Sequence, residues 1–428
     1  MITTSWSARL LLAMLTVALL PTPSALAGDP DGPENRPGFR FEVRPGDMPR
    51  PFATPAAGNS SRRLERPAGA TLRLPPGFRA NLFADHLSHP RWLAVAANGD
   101  VFLAEPAAGR ITLLRDGDGD GRAETVNTFA HGFNRPHGLA FQNGYLYVAE
   151  PSRLWRIPYK KGDLEARGRP QPVAAAGALG GGGGHWTRNI AFAPDGRSFF
   201  VAVGSRGNIA EEPLPRASVQ RFAADGSAQT TFASGLRNPV GIAFEPQSGE
   251  LYVVVNERDG LGDGLVPDYL TRVRQDEFYG WPYAYIGRHP DPRYGDRRPE
   301  LIAKSRVPDV LFRSHSAPLG LVFYDHTRFP ETYRGDAFVA LHGSWNASQP
   351  VGYGQCLPRR VAPAPTLALG CPGPCLARLQ CLRAPPARTL QHPRRSRIPL
   401  RCGRAHRILF QLRGAFAGAR TADGGAAA

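Results

Sequence analysis

Residues 89–105 read HPRWLAVAANGDVFLAE, and four near-copies of this phrase follow along the chain. They are RPHGLAFQNGYLYVAE from Arg135, RNIAFAPDGRSFFVAV from Arg188, RNPVGIAFEPQSGELYVVV from Arg237 and APLGLVF…YRGDAFVAL from Ala317. Each copy joins a short apolar strand to a second, alternating strand through a polar turn holding Asn-Gly, Asp-Gly or a similar pair. That is hairpin chemistry, since Gly and Asn accept the positive φ a tight turn needs. The aligned apolar positions Val95, Phe141, Phe192, Phe244 and Phe323 are 46, 51, 52 and 79 residues apart. An all-β period of about 50 residues fits one four-stranded blade of a propeller, whose blades surround a central channel. The phrase is then the inner hairpin of each blade, and its leading Arg, His and Asn residues gather near the axis.

Residues 1–27 have the make-up of a signal peptide. Arg9 supplies positive charge, residues 10–20 an apolar stretch too short to span a bilayer, and Ala25-Leu26-Ala27 a small-x-small cleavage site. Export to the periplasm or the medium is expected, without stable membrane insertion. Residues 28–70 are rich in Pro, Gly, Arg and Asp and lack strand periodicity, which predicts a flexible tether or an extended wrap. The repeats occupy residues 71–355.

A formal net charge of +16 taken alone suggests nucleic acid or an anionic membrane as partner. Its distribution says otherwise. Residues 356–428 hold thirteen Arg, no Lys and one acid, Asp423, for +12, which leaves +4 for the other 355 residues. All five cysteines (Cys356, Cys371, Cys375, Cys381, Cys402) lie there too, with nine prolines, no strand alternation and no further copy of the repeat. A basic nucleic-acid arm mixes Lys with Arg and lacks such Leu/Pro/Cys runs. A metal or disulfide module is a poor match, because Cys371 and Cys375 have no second pair at like spacing and the count is odd. A reading frame shifted after about Gln355, in a GC-rich gene, accounts for the excess of Arg, Pro, Ala, Gly and Cys. We read the tail so, assign it no function and expect no nucleic-acid partner. The last blade is then missing or corrupted, and the open sheet edges favour aggregation.

His185 follows a glycine run, GGGGHW, and immediately precedes the third inner strand. Glycines let backbone approach a ligand, and His suits proton transfer near neutral pH. A flexible connection with a surface or core histidine fits the spacing equally well. Arg237 and Asn238 hold the matching entrance of the fourth blade, where they could bind a polyanionic, carbonyl-rich ligand or cap a strand. His89, Arg91, Asn134, Arg135, His137 and Arg188 occupy comparable positions, and the recurrence favours a lined pocket.

An insertion between the fourth and fifth copies begins at Asn256. Its Asp259, Asp263 and Asp268, interleaved with glycines, offer the hard oxygen ligands calcium takes, or form a solvated acidic loop. Tyr279, Trp281, Tyr283 and Tyr285 follow, either as an aromatic wall for a sugar or as packing. The run DGDGDG from Asp116 opens like an EF-type loop, but Asn127 stands at position twelve where Glu is needed, so a turn with weak calcium affinity is the modest reading. In FVALHGSWN, His342 and Trp345 end a strand of the fifth blade at the channel mouth.

Together, PPGFRANLFADHLSHPRWLAV, GGGGHWTRNIAFAPDG, GLRNPVGIAF, NERDGLGDGLVPDYLTRV, FYGWPY, HSAPLGLVFY and YRGDAFVALHGSWN resemble the sorbosone dehydrogenase-like branch of the soluble pyrroloquinoline quinone (PQQ)-dependent sugar dehydrogenases. The resemblance spans about residues 74–353. It implies a six-bladed β-propeller holding PQQ and Ca²⁺ at the top of the channel. It also implies a sugar substrate (an aldose, sorbosone or a related hydroxylated aldehyde) and an external electron acceptor. It assigns His185 as general base, Arg237 and Asn238 to the quinone oxygens, and Arg91 and His342 to cofactor carboxylates. Asn256, Asp259, Asp263 and Asp268 fall in its calcium-binding region, where backbone carbonyls contribute as well. Family members continue past HGSWN with further blade strands, which the tail replaces here. Two other readings stay open. A calcium-dependent lactonase or hydrolase on the same propeller needs only a metal and an activated water. A non-catalytic propeller would bind a partner on its top face.

Overall fold

A computed structural model describes residues 36–60, 69, 71–352, 354–358, 379–383 and 407–414. The signal-peptide segment and most of the tail lie outside the described residues. The described chain is built almost wholly of strands, beginning with β1 (Arg40–Phe41) and β2 (Phe78–Leu87). The first sheet holds β3 (Trp92–Val95), β4 (Val101–Glu105), β5 (Arg110–Arg115) and β6 (Thr125–His131) in sequence order. The second holds β7 (Gly138–Gln142), β8 (Tyr145–Ala149), β9 (Leu154–Pro158) and β10 (Gln171–Pro172). The third holds β11 (Arg188–Phe192), β12 (Ser198–Val203), β13 (Ser218–Ala223) and β14 (Thr230–Ser234).

The fourth sheet starts with β15 (Asn238–Phe244), β16 (Leu251–Asn256) and β17 (Pro267–Arg272). The chain then detours through β18 (Glu277–Phe278), which adds parallel to β14, and the pair β19 (Ala284–Tyr285) and β20 (His289–Pro290). A single-turn α-helix, Pro299–Lys304, precedes β21 (Val310–Ser314), which completes the fourth sheet. A fifth sheet carries β22 (Pro318–Phe323), β23 (Ala337–Leu341), β24 (Gly354–Pro358) and β25 (Leu379–Arg383), with β1 on its outer edge. The last strand, β26 (Arg407–Gly414), pairs with β2 alone. The initial strands β3, β7, β11, β15 and β22 lie against one another in chain order, as blades around an axis require.

The repeat in the sequence is a repeat in register. Val95 pairs with Val101, Phe141 with Leu146, Phe192 with Phe199, Phe244 with Leu251 and Phe323 with Ala337, each on one of the last two rungs before the inner turn. The same position joins neighbouring sheets. Phe141 packs edge-on against Phe102 of the preceding sheet, Phe192 against Tyr147, Phe244 against Phe200 and Phe323 against Tyr252, at ring-centroid distances of 5.1, 4.8, 5.6 and 5.4 Å. Such edge-to-face pairs add about 0.5–1.5 kcal/mol each beyond the area they bury. Val95, the first member of the series, has no preceding hairpin among the described residues and is 65% exposed.

Six complete blades are not what is described. Four sheets are complete within the repeats, three of four strands and one with β18 as a fifth, another draws its outer strands from both ends of the chain, and a sixth consists of β2 and β26 among the described residues. The tail, expected to lack strands, supplies β25 and β26. Ladder hydrogen bonds are made by backbone, so the open edges of β24 and β2 accept extended chain whatever its side chains. Described residues of the N-terminal segment lie on the sheets: Phe41 lies under Arg313, and Val43 and Met48 pack on the core shared by the third and fourth sheets. No helix among the described residues is long and apolar enough to cross a membrane.

Candidate active site

The inner-strand ends of the third to fifth sheets enclose a cavity of about 250 Å³. Seven residues singled out from the sequence line it: His185, Arg237, Asn238, Asn256, Asp259, Asp268 and, from the channel mouth, Trp345. Glu257, His315 and Asn346 join them without having been anticipated as ligands.

The glycine run before His185 is wound around two guanidinium groups. Arg216 donates to the carbonyls of Gly180, Gly181, Gly182 and Gly204, and Arg188 to those of Leu179, Gly181, His185 and Thr187. These guanidinium contacts hold the run, and Arg188 is fully buried beneath it. The loop places His185 with Nδ1 2.9 Å from Ser205 Oγ and 3.0 Å from the Ser205 carbonyl. A Cβ on Gly204 would fall 2.6 Å from His185 Cβ and 2.5 Å from Asn238 Oδ1, so glycine is what lets these two side chains sit together. Burial, reinforced by the Arg237 charge, lowers the His185 imidazole pKa to about 4.

Arg237 meets five acceptors within the protein. Its Nε donates to Asn208 O at 3.0 Å and one terminal nitrogen to the carbonyls of Asn256 and Glu257 at 3.2 and 2.6 Å. The other donates to Asn208 Oδ1 at 2.9 Å and Asp259 Oδ2 at 3.3 Å. These contacts occupy the five N–H donors a guanidinium has. Arg237 therefore frames the acidic wall rather than reaching outward from it. Asn238 Oδ1, by contrast, is buried in the cavity wall without a hydrogen-bond partner.

The acidic wall is cross-linked. Asp268 accepts the backbone N–H groups of Glu257 and Ala317, each at 2.8 Å, tying the fourth sheet to the entry of the fifth. Asp259 accepts Asn346 Nδ2 at 2.6 Å and lies 3.7 Å from His315 Nδ1. Burial pushes Glu257 and Asp268 up to about 7. Burial acts the same way on Asp259, but the neighbouring His315 imidazole and the Arg237 charge outweigh it and hold the carboxyl below its ordinary value. The wall offers three carboxylates and the unpartnered Asn238 oxygen, donors of the type a hard divalent cation such as calcium takes, beside the imidazoles of His185 and His315.

Three of the chosen residues lie elsewhere. Arg91 stands 5.7 Å from the Trp186 ring, with Arg135 at 4.2 Å, and does not line the cavity. His342, whose Nδ1 lies 3.4 Å from Gly343 O, does not line it either. Asp263 is half-buried and accepts the Ser348 N–H at 2.9 Å. The aromatic run packs instead of walling a sugar site. Tyr279, Trp281, Tyr283 and Tyr285 are buried, and three use their polar atoms on Arg272 O, Asn208 O and Glu211 respectively. His137, thought to face the channel, is buried against Asn189 Oδ1 at 2.9 Å and joins the second sheet to the third. In the DGDGDG turn, Asp116, Asp118 and Asp120 meet Glu124, not a residue at position twelve, with carboxylate oxygens within 4.8 Å.

His315 had a sequence signal that was not used: it opens HSAPLG just ahead of the fifth copy, much as His89 opens the first. Asn208, Ser205 and Arg216 had none, since they sit in the connection beyond the third hairpin and are brought in by tertiary folding.

The family model for TrAA12-like proteins matches residues 72–276 and 300–357. An uncharacterized protein of Borreliella burgdorferi is 25% identical over 294 residues, 66% of this chain and 75% of that protein. A pyrroloquinoline quinone-dependent pyranose dehydrogenase of Coprinopsis cinerea is 25% identical over 326 residues, 65% of this chain and 43% of that protein. Among solved structures, the holo PQQ domain of the Coprinopsis cinerea pyranose dehydrogenase aligns with a TM-score of 0.60 at 19% identity, covering 74% of this chain and 87% of that one. A calcium structure of a Trichoderma reesei family AA12 protein aligns with a TM-score of 0.61 at 18% identity, covering 76% and 90%.

Proposed function

The chain belongs to the TrAA12-like family, and from that premise we propose that it is an exported PQQ-dependent dehydrogenase acting on an aldose, sorbosone or a related sugar. The observation that carries the reading is the cavity itself, which joins a half-buried, neutral histidine to an oxygen-rich acidic wall. The names of the relatives support the same chemistry. Asn238, Asn256, Glu257, Asp259 and Asp268 would hold calcium and the quinone end of the cofactor, with Arg237 fixing the carbonyls of Asn256 and Glu257 in place.

When bound, PQQ supplies a two-electron acceptor for hydride and calcium a Lewis acid that polarises it. The chain's own part is acid–base and positional. His185 takes the proton of the sugar hydroxyl at Nε2 as the C–H bond beside it breaks, so the alcohol carbon becomes a carbonyl. Ser205 holds the ring so that Nε2 faces the cavity, and burial keeps it unprotonated at neutral pH. Residues 1–27 carry the export signal in this reading, and an external acceptor reoxidises the cofactor.

The test is a titration of the metal-free, cofactor-free chain with PQQ, with and without Ca²⁺, followed by absorbance and then by dye reduction with sugars. A calcium-dependent shift of the quinone spectrum and sugar-dependent dye reduction are expected. Lactone hydrolysis without PQQ would replace this reading with the hydrolase.

A further inference from the structure

The geometry points to residues 48–59 as a strap that positions the rim of the cavity, with Thr54 and Asn59 as its positioning residues. The strap lies outside the stretch matched by the family model, which begins at residue 72. The claim rests on the dehydrogenase reading only for its ligand-binding readout.

Two rim loops converge on Asp259, and the strap holds both. On one side, Asn59 N–H donates to Trp345 O at 2.6 Å and its Nδ2 to Ala347 O at 3.3 Å. Between those two carbonyls stands Asn346, whose Nδ2 donates to Asp259 Oδ1 at 2.6 Å. On the other side, Phe52 N–H donates to Leu261 O at 2.8 Å, and Asp263 N–H donates to Thr54 Oγ1 at 2.8 Å. Between those contacts stands Gly262, whose carbonyl lies 3.1 Å from Nε2 of His315, the histidine paired with Asp259. Beneath the strap the two loops are joined directly, since Asp263 accepts the Ser348 N–H and hydroxyl.

The glycines of the insertion carry the second, independent observation. A Cβ on Gly262, where φ is +103°, would lie 2.6 Å from Thr54 O, and a Cβ on Gly264 would lie 2.6 Å from Pro49 Cγ. Read from sequence, these glycines suggested a metal-binding loop. In the fold they leave room for the strap to cross. A side chain at either position would lift it. Met48 anchors the strap's start on the core of the third and fourth sheets, so its path over the rim is set by apolar packing at one end and by Asn59 at the other. The result is preorganisation: Asn346 and His315 are fixed around Asp259 before any ligand arrives.

Hydrogen exchange on the full chain tests this, read at residues 260–263 and 345–348 and, separately, over the strands of the sheets. Thr54→Val and Gly264→Ala should speed exchange of both rim loops by about ten-fold or more while strand protection stays as in the parent. Thr54→Ser, which keeps the acceptor, should restore the parent rates. Asn59→Ala should act mainly on 345–348. Gly58→Ala serves as control, because its Cβ would meet nothing within 4 Å. The same variants titrated with Ca²⁺ alone should bind several-fold more weakly. Unchanged rim exchange in Thr54→Val and Gly264→Ala would overturn the inference, and so would an equal rise across all strands, which would make the strap a general stabiliser. A parent chain that binds neither Ca²⁺ nor PQQ would sink the dehydrogenase reading and leave the exchange result to judge the strap.

Discussion

Ser205 turns two acceptors toward Nδ1 of His185, its carbonyl at 3.0 Å and its hydroxyl oxygen at 2.9 Å, while the hydroxyl proton goes to Gly207 O at 2.7 Å. With acceptors on that side, Nδ1 carries the ring proton and Nε2 keeps its lone pair. A neutral imidazole with one defined basic nitrogen is what proton abstraction needs. His185→Ala should therefore lower turnover with sugar by about two to four orders of magnitude, the usual scale for losing a general base. PQQ affinity should change far less. Stopped-flow reduction of bound PQQ measures the step, and near-parent rates would remove His185 from it.

The lowered pKa of His185, about 4, predicts the acid limb of the pH profile. With Ca²⁺ saturating at every pH, turnover should hold nearly level from pH 8 to 5 and fall near 4, where an ordinary histidine would already fail through 6.5. The stability consequence has a definite sign. Between about pH 4 and 6.5 the unfolded chain binds the proton that folded His185 refuses, so stability is full above 6.5 and lost as pH falls. His137, lowered to about 3 by burial and by Arg91, adds to the same loss over a wider window. Urea unfolding at pH 7 and pH 5 measures it, and equal midpoints would mean that neither ring is buried neutral.

Arg237 has its donors occupied by Asn208, Asn256, Glu257 and Asp259. Arg237→Ala should weaken calcium and PQQ together by releasing that frame, and Arg237→Lys should not rescue, since an ammonium cannot reproduce five directed contacts. Calorimetric titration of each ligand decides the point. Loss of PQQ binding with calcium affinity intact would mean that the guanidinium contacts the cofactor directly.

Calcium binding should weaken as pH falls, in the same direction as the histidine effects. Glu257 and Asp268, raised to about 7 by burial, must release protons before they can bind a metal. Calcium affinity at pH 8 should exceed that at pH 5.5 by at least about ten-fold. In the metal-free chain these two groups hold protons when folded that they lose when unfolded, so their contribution to stability declines as pH rises through 7. A calcium affinity that ignores pH would exclude both as ligands.

The exposed Val95 bears on the reading frame. Each later member of its series packs on an aromatic ring of the preceding sheet's second strand, and Val95 is 65% exposed. We predict that the other frame after Gln355 encodes a strand-turn-strand phrase with a large apolar side chain placed to cover Val95. The protein made from it should be more soluble and more resistant to protease. If the native transcript confirms the present frame and residues 356–428 resist proteolysis while packed on the first sheet, the frameshift reading fails.

The sequence by itself determined the repeating hairpin, because strand alternation and turn residues are local and recur with the blade. Phe141, Phe192, Phe244 and Phe323 could be aligned before any fold was known, and they prove to be the inter-sheet contacts. It also singled out His185, Arg237, Asn238 and Asn256 at or beside hairpin ends of the repeat, and Asp259 and Asp268 from the acidic insertion, and all six line the cavity. Only the tertiary structure decided what those residues do there. Whether a guanidinium faces a ligand or its own backbone depends on which carbonyls other segments bring to it, and Asn208 reaches Arg237 from 29 residues away. Arg91, His342 and Asp263 held equally suggestive positions and fell outside the cavity, because sharing a strand end fixes height along the axis but not the direction of the side chain. The glycines at 262 and 264 read as metal-loop chemistry until Pro49 and Thr54, about 200 residues earlier, crossed over them. Contacts between distant segments leave no local period in a chain, so the sequence could supply the parts of this site while the packing assigned their partners.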